Sequence, residues 1–215
     1  VTSLGPAWRY FRRRGVLATL RTFIRRYVYG AYEEIVIRTR LVGPPVPDRF
    51  GDFVFRLSTP ADLDRLDELE RFGRGSAQRA GVREDDDWLF VACHGDRIVA
   101  TRRYTRVVPP HGLMARVVQL EPGQVWSADA FCRPEYRNQR INHHFGLFTQ
   151  RYLASLGYTE QMTAIALDNV PSLRGSRRKG GQPLYHVSYR RRLFYTRLRV
   201  SPELPARYWA EVPHS

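Results

Sequence analysis

Two cysteines in 215 residues cannot make a disulfide framework. Cys93 and Cys132 lie far apart in apolar, strand-like runs, and no zinc-ligand spacing surrounds either, so no metal is expected. No window holds the ~18 consecutive apolar residues of a membrane span. The basic, aromatic first residues lack the apolar run and small-residue cleavage site of a secretory signal. The expectation is a cytoplasmic protein with buried thiols. Acids are also scarce, 21 against 35 Lys and Arg, and Lys179 is the only lysine.

What remains is globular. Hydrophobic residues make up 43% and aromatics 13%, which supports one full-sized core, or a core plus a small appendage, and excludes disorder. The net charge of +14 is uneven. Residues 1–43 hold nine Arg against two Glu; residues 174–199 hold eight Arg and Lys179 with no acid; the middle is near neutral. Two basic ends suit polyanionic partners: an anionic membrane, an acidic carrier protein, a phosphorylated cofactor or nucleic acid. Nucleic acid is the least favoured of these, because the basic stretches carry no recognised reading motif.

Periodicity predicts a helix over 16–29, with Val16, Leu17, Leu20, Phe23, Ile24, Tyr27 and Val28 on one stripe. This helix either packs on the domain or, through residues 8–29, contacts an anionic membrane peripherally. Gly43-Pro44-Pro45-Val46-Pro47 reads as a rigid linker. The predicted organisation is a basic helical appendage over 1–43 and one domain over 44–215. Within the domain, strands are expected at 53–57, 88–93, 97–107, 124–133, 163–167 and 185–200, the last being one strand or two. Thr59 with Pro60 opens a helix. Further helices are expected at 141–156, ended by Gly157, and at 170–179, ended by Gly180-Gly181. His144 falls on the inner face of the 141–156 helix and reads as a core histidine.

The junction "PEYRNQRINHHF" (134–145) places Arg137, Asn138, Gln139 and Arg140 where a strand gives way to a helix. Such junctions present free backbone N–H groups to an anion. Three features together carry a resemblance: the hairpin "WLFVACHGDRIVATRRY", the segment "FCRPEYRNQRIN", and "DNVPSLRGSRRKGG". They are similar to the corresponding parts of the GNAT acyltransferase superfamily. The resemblance implies an α/β (α+β) fold, a central mixed twisted sheet of six or seven strands flanked by helices. It implies two parallel strands, 124–133 and 163–167, splayed to receive the pantetheine arm of acetyl-CoA or another acyl-CoA. The residues it assigns to the cofactor are Phe131, Cys132, Arg133, Arg137, Asn138, Gln139, Arg140, Ile141, Asn142, His143, Asn169 and Ser172.

Two departures from the family pattern stand out. Arg140 and Asn142 occupy positions where glycines are usual, so side-chain donors must substitute for some N–H groups, or the site has lost its cofactor. Ser176 stands where many members carry a tyrosine that protonates the departing thiolate. Candidates for acid–base work are Asp129 inside its strand, Glu121 just before it, Tyr185 beside His186 in the late strand, and Ser176. The implied activity is transfer of an acyl group, most simply acetyl, to the amine of a small molecule or peptide. "RRYTRVVP" (102–109) is faintly similar to the acyl-homoserine-lactone and N-acyl amino acid synthases, whose donor is the acyl-phosphopantetheine of an acidic acyl carrier protein. The rival reading is a catalytically silent, basic binding module of the same fold.

Overall fold

A computed structural model describes residues 29–41, 43, 46–66, 69, 87–108, 113–192, 195–206 and 208. Its strands are β1 (Tyr29–Arg40), β2 (Arg49–Phe50), β3 (Phe53–Leu57), β4 (Asp87–His94), β5 (Arg97–Thr105), β6 (Gln124–Cys132), β7 (Glu160–Ala166), β8 (Gln182–Arg192) and β9 (Tyr195–Ser201). Its helices are α1 (Pro60–Arg65), α2 (Ile141–Ser155) and α3 (Val170–Arg178), with 3-10 turns at Leu113–Arg116 and Pro134–Tyr136. All nine strands form one sheet in the order β2-β3-β4-β5-β6-β7-β1-β8-β9, so the six or seven expected are exceeded. Among the described strands, only β6 and β7 run parallel. No described helix is long and apolar enough to cross a membrane.

The largest correction concerns β1. Residues 29–40 belong to no appendage; they form a strand deep in the sheet, antiparallel to β7 on one side and β8 on the other. Ile35, Val36 and Ile37 are 0–1% exposed. A strand covered on both faces reads as an unbroken β-branched run, here "IVI", rather than as an alternation. β1 and edge strand β2 belong to the same sheet, so the expected boundary between units does not separate them. Of the helix predicted over 16–29, residues 16–28 lie outside the described residues, and its last residue, Tyr29, belongs to β1 instead.

Two layers cover the sheet. One face carries α2, whose Ile141, Phe145 and Leu153 pack on Phe55, Phe90, Tyr104 and Val125, and α3, whose Leu173 packs on Ile35 and Ile37. The opposite face carries α1, with Leu63 and Leu66 against Leu89, Val91 and Ile98. It also carries the 113–118 turn, with Met114 and Val118 against Val36, Trp126, Met162 and Val187. His144 is half-buried and stacks on Phe50 at 3.7 Å, in keeping with its predicted core position.

Thr59 and Pro60 start α1 as expected, and Asp62 completes a capping box. Asp62, 2% exposed, also pairs with both terminal nitrogens of Arg56. Burial alone would raise its carboxyl; the Arg56 guanidinium and the Thr59 N–H and hydroxyl outweigh it and lower the pKa from 3.8 to about 2. The folded state thus favours the ionised form. The stabilisation is present above the ordinary value and is lost as pH falls through the lowered one. Asp62→Asn is expected to cost about 2 kcal/mol at pH 7, less than a sealed pair would, because the Arg56 side chain is 38% exposed. Thermal unfolding of both proteins from pH 7 down to pH 2 checks this: the difference should shrink with acid.

Candidate functional site

The site is built on the divergence of two parallel neighbours. β6 and β7 pair only through Gln124–Glu160, Val125–Gln161 and Trp126–Met162. Beyond that point both strands continue, to Cys132 and Ala166, without pairing. The fork opens at a bulge: Arg103 stands opposite Asp129 and Tyr104 opposite Ser127, leaving Ala128 over. An extra residue bends and twists the bulged strand, which turns β6 away from β7.

Register decides which main-chain groups face the gap. The Arg133 N–H donates to the Val99 carbonyl at 2.9 Å, so that pair is hydrogen-bonded across β5 and β6. In an antiparallel ladder the pairs alternate. Phe131 is therefore bonded to β5, while Ala130 and Cys132 direct their N–H and C=O toward the gap. The Cys132 carbonyl is taken by Arg137 Nε at 3.2 Å. Ala130 is exposed in the middle of its strand, as an open fork requires.

Above the fork, the 134–140 loop is tied down at several points. Tyr136 meets the rings of Phe53 and His94 edge-on, Glu135 pairs with Arg97 at 3.6 Å, and Gln139 donates to the Glu135 carbonyl at 3.2 Å. Asn138 (φ 63) and Arg140 (φ 59) are both left-handed. The loop thus keeps a backbone that favours glycine without containing one. The cost is about 1–2 kcal/mol for arginine and less for asparagine. Arg140 serves as N-cap of α2, where the first N–H groups of the helix lack intrahelical partners. The sequence pattern located this junction but not its left-handed turns.

The remaining cofactor candidates divide. Arg137, Asn138, Gln139, Arg140 and His143 are exposed at the loop and first turn. Ile141 is a core residue. Phe131 packs on the α1 face with Leu89 and Ile98. Arg133 is 1% exposed, and its Nε donates to the Ile98 carbonyl at 2.6 Å. Burial pushes the Cys132 thiol up against the opposing pull of Arg137 and Arg102. Asn142 is engaged by a residue the sequence reading passed over. Arg102, 6% exposed, donates through Nη2 to the Asn142 carbonyl at 3.0 Å and to its Oδ1 at 2.8 Å, and lies over the Phe145 ring. Asn169 caps α3, its Oδ1 accepting from the Ser172 N–H at 3.4 Å.

The acid–base candidates are dispersed. Glu121 is exposed in the turn before β6, at the closed end of the fork. Asp129 is half-buried and in register with Arg103, which pairs with Asp87 at 3.5 Å. Ser176 is buried under Gly181, where an added Cβ would lie 2.4 Å from the serine Oγ. Tyr185 is half-buried, opposite Val36 and therefore level with Ala164 in the diverged part of β7, on the face of Trp126 and Met162. Burial keeps its phenol protonated. One acid was missed: Glu34, on the same face two residues from Val36, is half-buried and its carboxyl is raised by desolvation. Reading "EEIVIRTR" as a strand would have put Glu34 beside Ala166. Among the described residues, no cluster of three or more His, Cys, Asp or Glu is gathered for a metal.

No model of a known protein family matches the chain, and no curated protein matches its sequence. Solved structures do match. A GCN5-related N-acetyltransferase from Sphaerobacter thermophilus superposes with TM-score 0.54 at 18% identity, over 84% of this chain and 58% of that one. A Drosophila protein matches with TM-score 0.54 at 14% identity, over 84% and 57%. A GNAT-family structure from Novosphingobium aromaticivorans matches with TM-score 0.52 at 11% identity, over 74% and 63%. The chain spans less than two thirds of each of these structures. With these matches and the forked parallel pair, the chain has the fold of the GNAT N-acetyltransferases.

Proposed function

We propose that the protein transfers an acyl group from a pantetheine thioester, most simply acetyl-CoA, to an amine. The observation that carries this reading is the fork, because it leaves the Ala130 N–H and C=O open to a ligand on the β7 side. A pantetheine arm is a chain of amides, and it can pair with such an edge as a missing strand would. Its phosphate end then meets the left-handed turns at Asn138 and Arg140, the first N–H groups of α2 and the Arg137 and Arg140 guanidinium groups.

The acyl carbonyl lies in the fork, open to an amine from the Trp126 face. Aminolysis requires the amine to lose its proton before attack and the sulfur to gain one on leaving. Glu34, whose raised pKa makes it a better base near neutrality, accepts the first; the protonated Tyr185 phenol supplies the second. Exposed Arg190, Arg192, Arg197 and Arg199 on β8 and β9 suit a donor carried on an acidic protein as well as free CoA. Calorimetry with acetyl-CoA, CoA and an acyl carrier protein tests the reading; no heat with any of the three overturns it.

Ala130→Pro is a sharper probe. Proline removes an N–H that makes no bond to β5, so the unfolding midpoint is expected to move little. Donor affinity is expected to fall about tenfold, the worth of roughly one lost hydrogen bond. An unchanged affinity in a stably folded variant would place the donor elsewhere.

A further inference from the structure

Arg102 sits in the middle of β5, directly opposite Ala130 of the fork. It alternates with Ala100 and Tyr104 on the face that α2 covers, so its side chain rises toward that helix. Nη2 donates to the Asn142 carbonyl at 3.0 Å and to Asn142 Oδ1 at 2.8 Å, which places the guanidinium under the first turn of α2. The guanidinium also lies against Gly146, where an added Cβ would come 3.1 Å from Nη2, 3.2 Å from Cζ and 3.3 Å from Nη1. Glycine is a poor helix former, so α2 gives up intrinsic stability to make room for this group. Arg56, Arg97 and Arg103 each face a carboxylate, of Asp62, Glu135 and Asp87. Arg102 is 6% exposed, more buried than any of the three, yet among the described residues it has no ion-pair partner. Its Nε is sealed from solvent with no hydrogen-bond partner. Two neutral acceptors and the Phe145 ring do not replace the acid that normally accompanies a buried cation. The same turn offers free donors. The His143 and His144 N–H groups both close on the Arg140 carbonyl, which leaves those of Ile141 and Asn142 without main-chain acceptors among the described residues. Asn142 therefore faces two ways: its N–H is open at the helix start, and its carbonyl and side chain hold Arg102.

We propose that Arg102 is the buried countercharge for the donor's phosphate, and that it makes the site select phosphorylated pantetheine over the bare arm. The inference rests on the thioester donor proposed above. In the free protein the guanidinium is held in place, stripped of most of its water and without an acid. A phosphate at the first turn of α2 supplies the missing anion, and the charge balance that the fold alone lacks is reached only with ligand bound. The low-dielectric position strengthens that attraction. Arg137 and Arg140 are exposed, so water and salt screen their share of it.

Three proteins test this: wild type, Arg102→Lys, which keeps the charge, and Arg102→Met, which removes it. The first measurement uses inorganic pyrophosphate alone and needs no enzyme activity. Pyrophosphate is expected to raise the unfolding midpoint of wild type and of Arg102→Lys, but not of Arg102→Met. No rise in wild type overturns the proposal, even if Arg102→Met does not fold. An equal rise in a folded Arg102→Met overturns it as well. The second measurement is calorimetry with CoA and with pantetheine, the same arm without phosphate. CoA affinity is expected to fall about 10–100-fold in Arg102→Met, the effect of losing one charged hydrogen bond, while pantetheine affinity stays unchanged. Equal losses for the two ligands would make Arg102 a clamp for α2 only and overturn the proposal. CoA binding that is indifferent to residue 102 overturns it and spares the transferase reading. Pyrophosphate protection that needs Arg102, with no binding of acetyl-CoA, CoA or carrier protein, keeps the anion site and overturns the thioester donor.

Discussion

A chain that begins at residue 44 is expected not to fold. Deleting 1–43 removes β1, and with it the only bridge between β7 and β8 in the sheet order. Ile35, Val36, Ile37 and Leu41 are each no more than 5% exposed. At about 1.5–3 kcal/mol for each buried aliphatic side chain, their loss removes about 6–12 kcal/mol, comparable to the whole stability of a typical domain. It also leaves the facing edges of β7 and β8 without partners. The shortened chain should accumulate as insoluble protein, and any soluble fraction should lack a cooperative thermal transition by circular dichroism. A soluble, cooperatively unfolding product would show that β7 and β8 can close without β1.

Phe145→Ala is expected to cost about 4 kcal/mol, the usual toll for emptying a fully buried aromatic site. Phe145 is 0% exposed, stacks on Phe55 at 5.3 Å and lies beneath the Arg102 guanidinium, 5.8 Å from its carbon to the ring centroid. The effect should reach the site as well as the core. Arg102 is held between this ring and Asn142, so losing the ring loosens the contact that fixes the first turn of α2. Chemical denaturation reads the first effect. Calorimetry below the melting temperature reads the second, with donor affinity expected to fall severalfold. Full affinity in the folded variant would mean that Arg102 is positioned by Asn142 alone.

These outcomes follow the division between what the residues announced and what they concealed. The β4–β5 hairpin, β6, α2 and α3 were legible because local signals agree: His94-Gly95-Asp96 at the turn, the apolar stripe of α2 ended by Gly157, and Asn169 ahead of α3. β1 was misread because a helical stripe running through Val28 continues without a strong break into "YGAYEEIVIRTR", whose burial on both faces erases alternation. β7 begins at Glu160 rather than Thr163 because its polar start is satisfied by distant partners: Gln124 donates to Glu160, and Gln150 to Gln161. Within the site, the strand-to-helix junction over 134–140 was legible from its composition. The tie from Arg102 to Asn142 joins residues 40 apart, and Ser176 is sealed by a glycine whose role appears only once the chain is packed. Neither relation leaves a local trace.

The berth of β1 has a consequence for biosynthesis. This strand leaves the ribosome well before either of its neighbours, β7 and β8, which lie far downstream in the sequence. Until they are made, the β-branched "IVI" run lacks its sheet partners and is an aggregation-prone stretch of the nascent polypeptide. The charges around it, Glu33 and Glu34 before and Arg38 and Arg40 after, are placed to keep it soluble during that wait. Maturation of this protein is thus gated by late closure of its sheet, and slow translation would lengthen its dependence on chaperones.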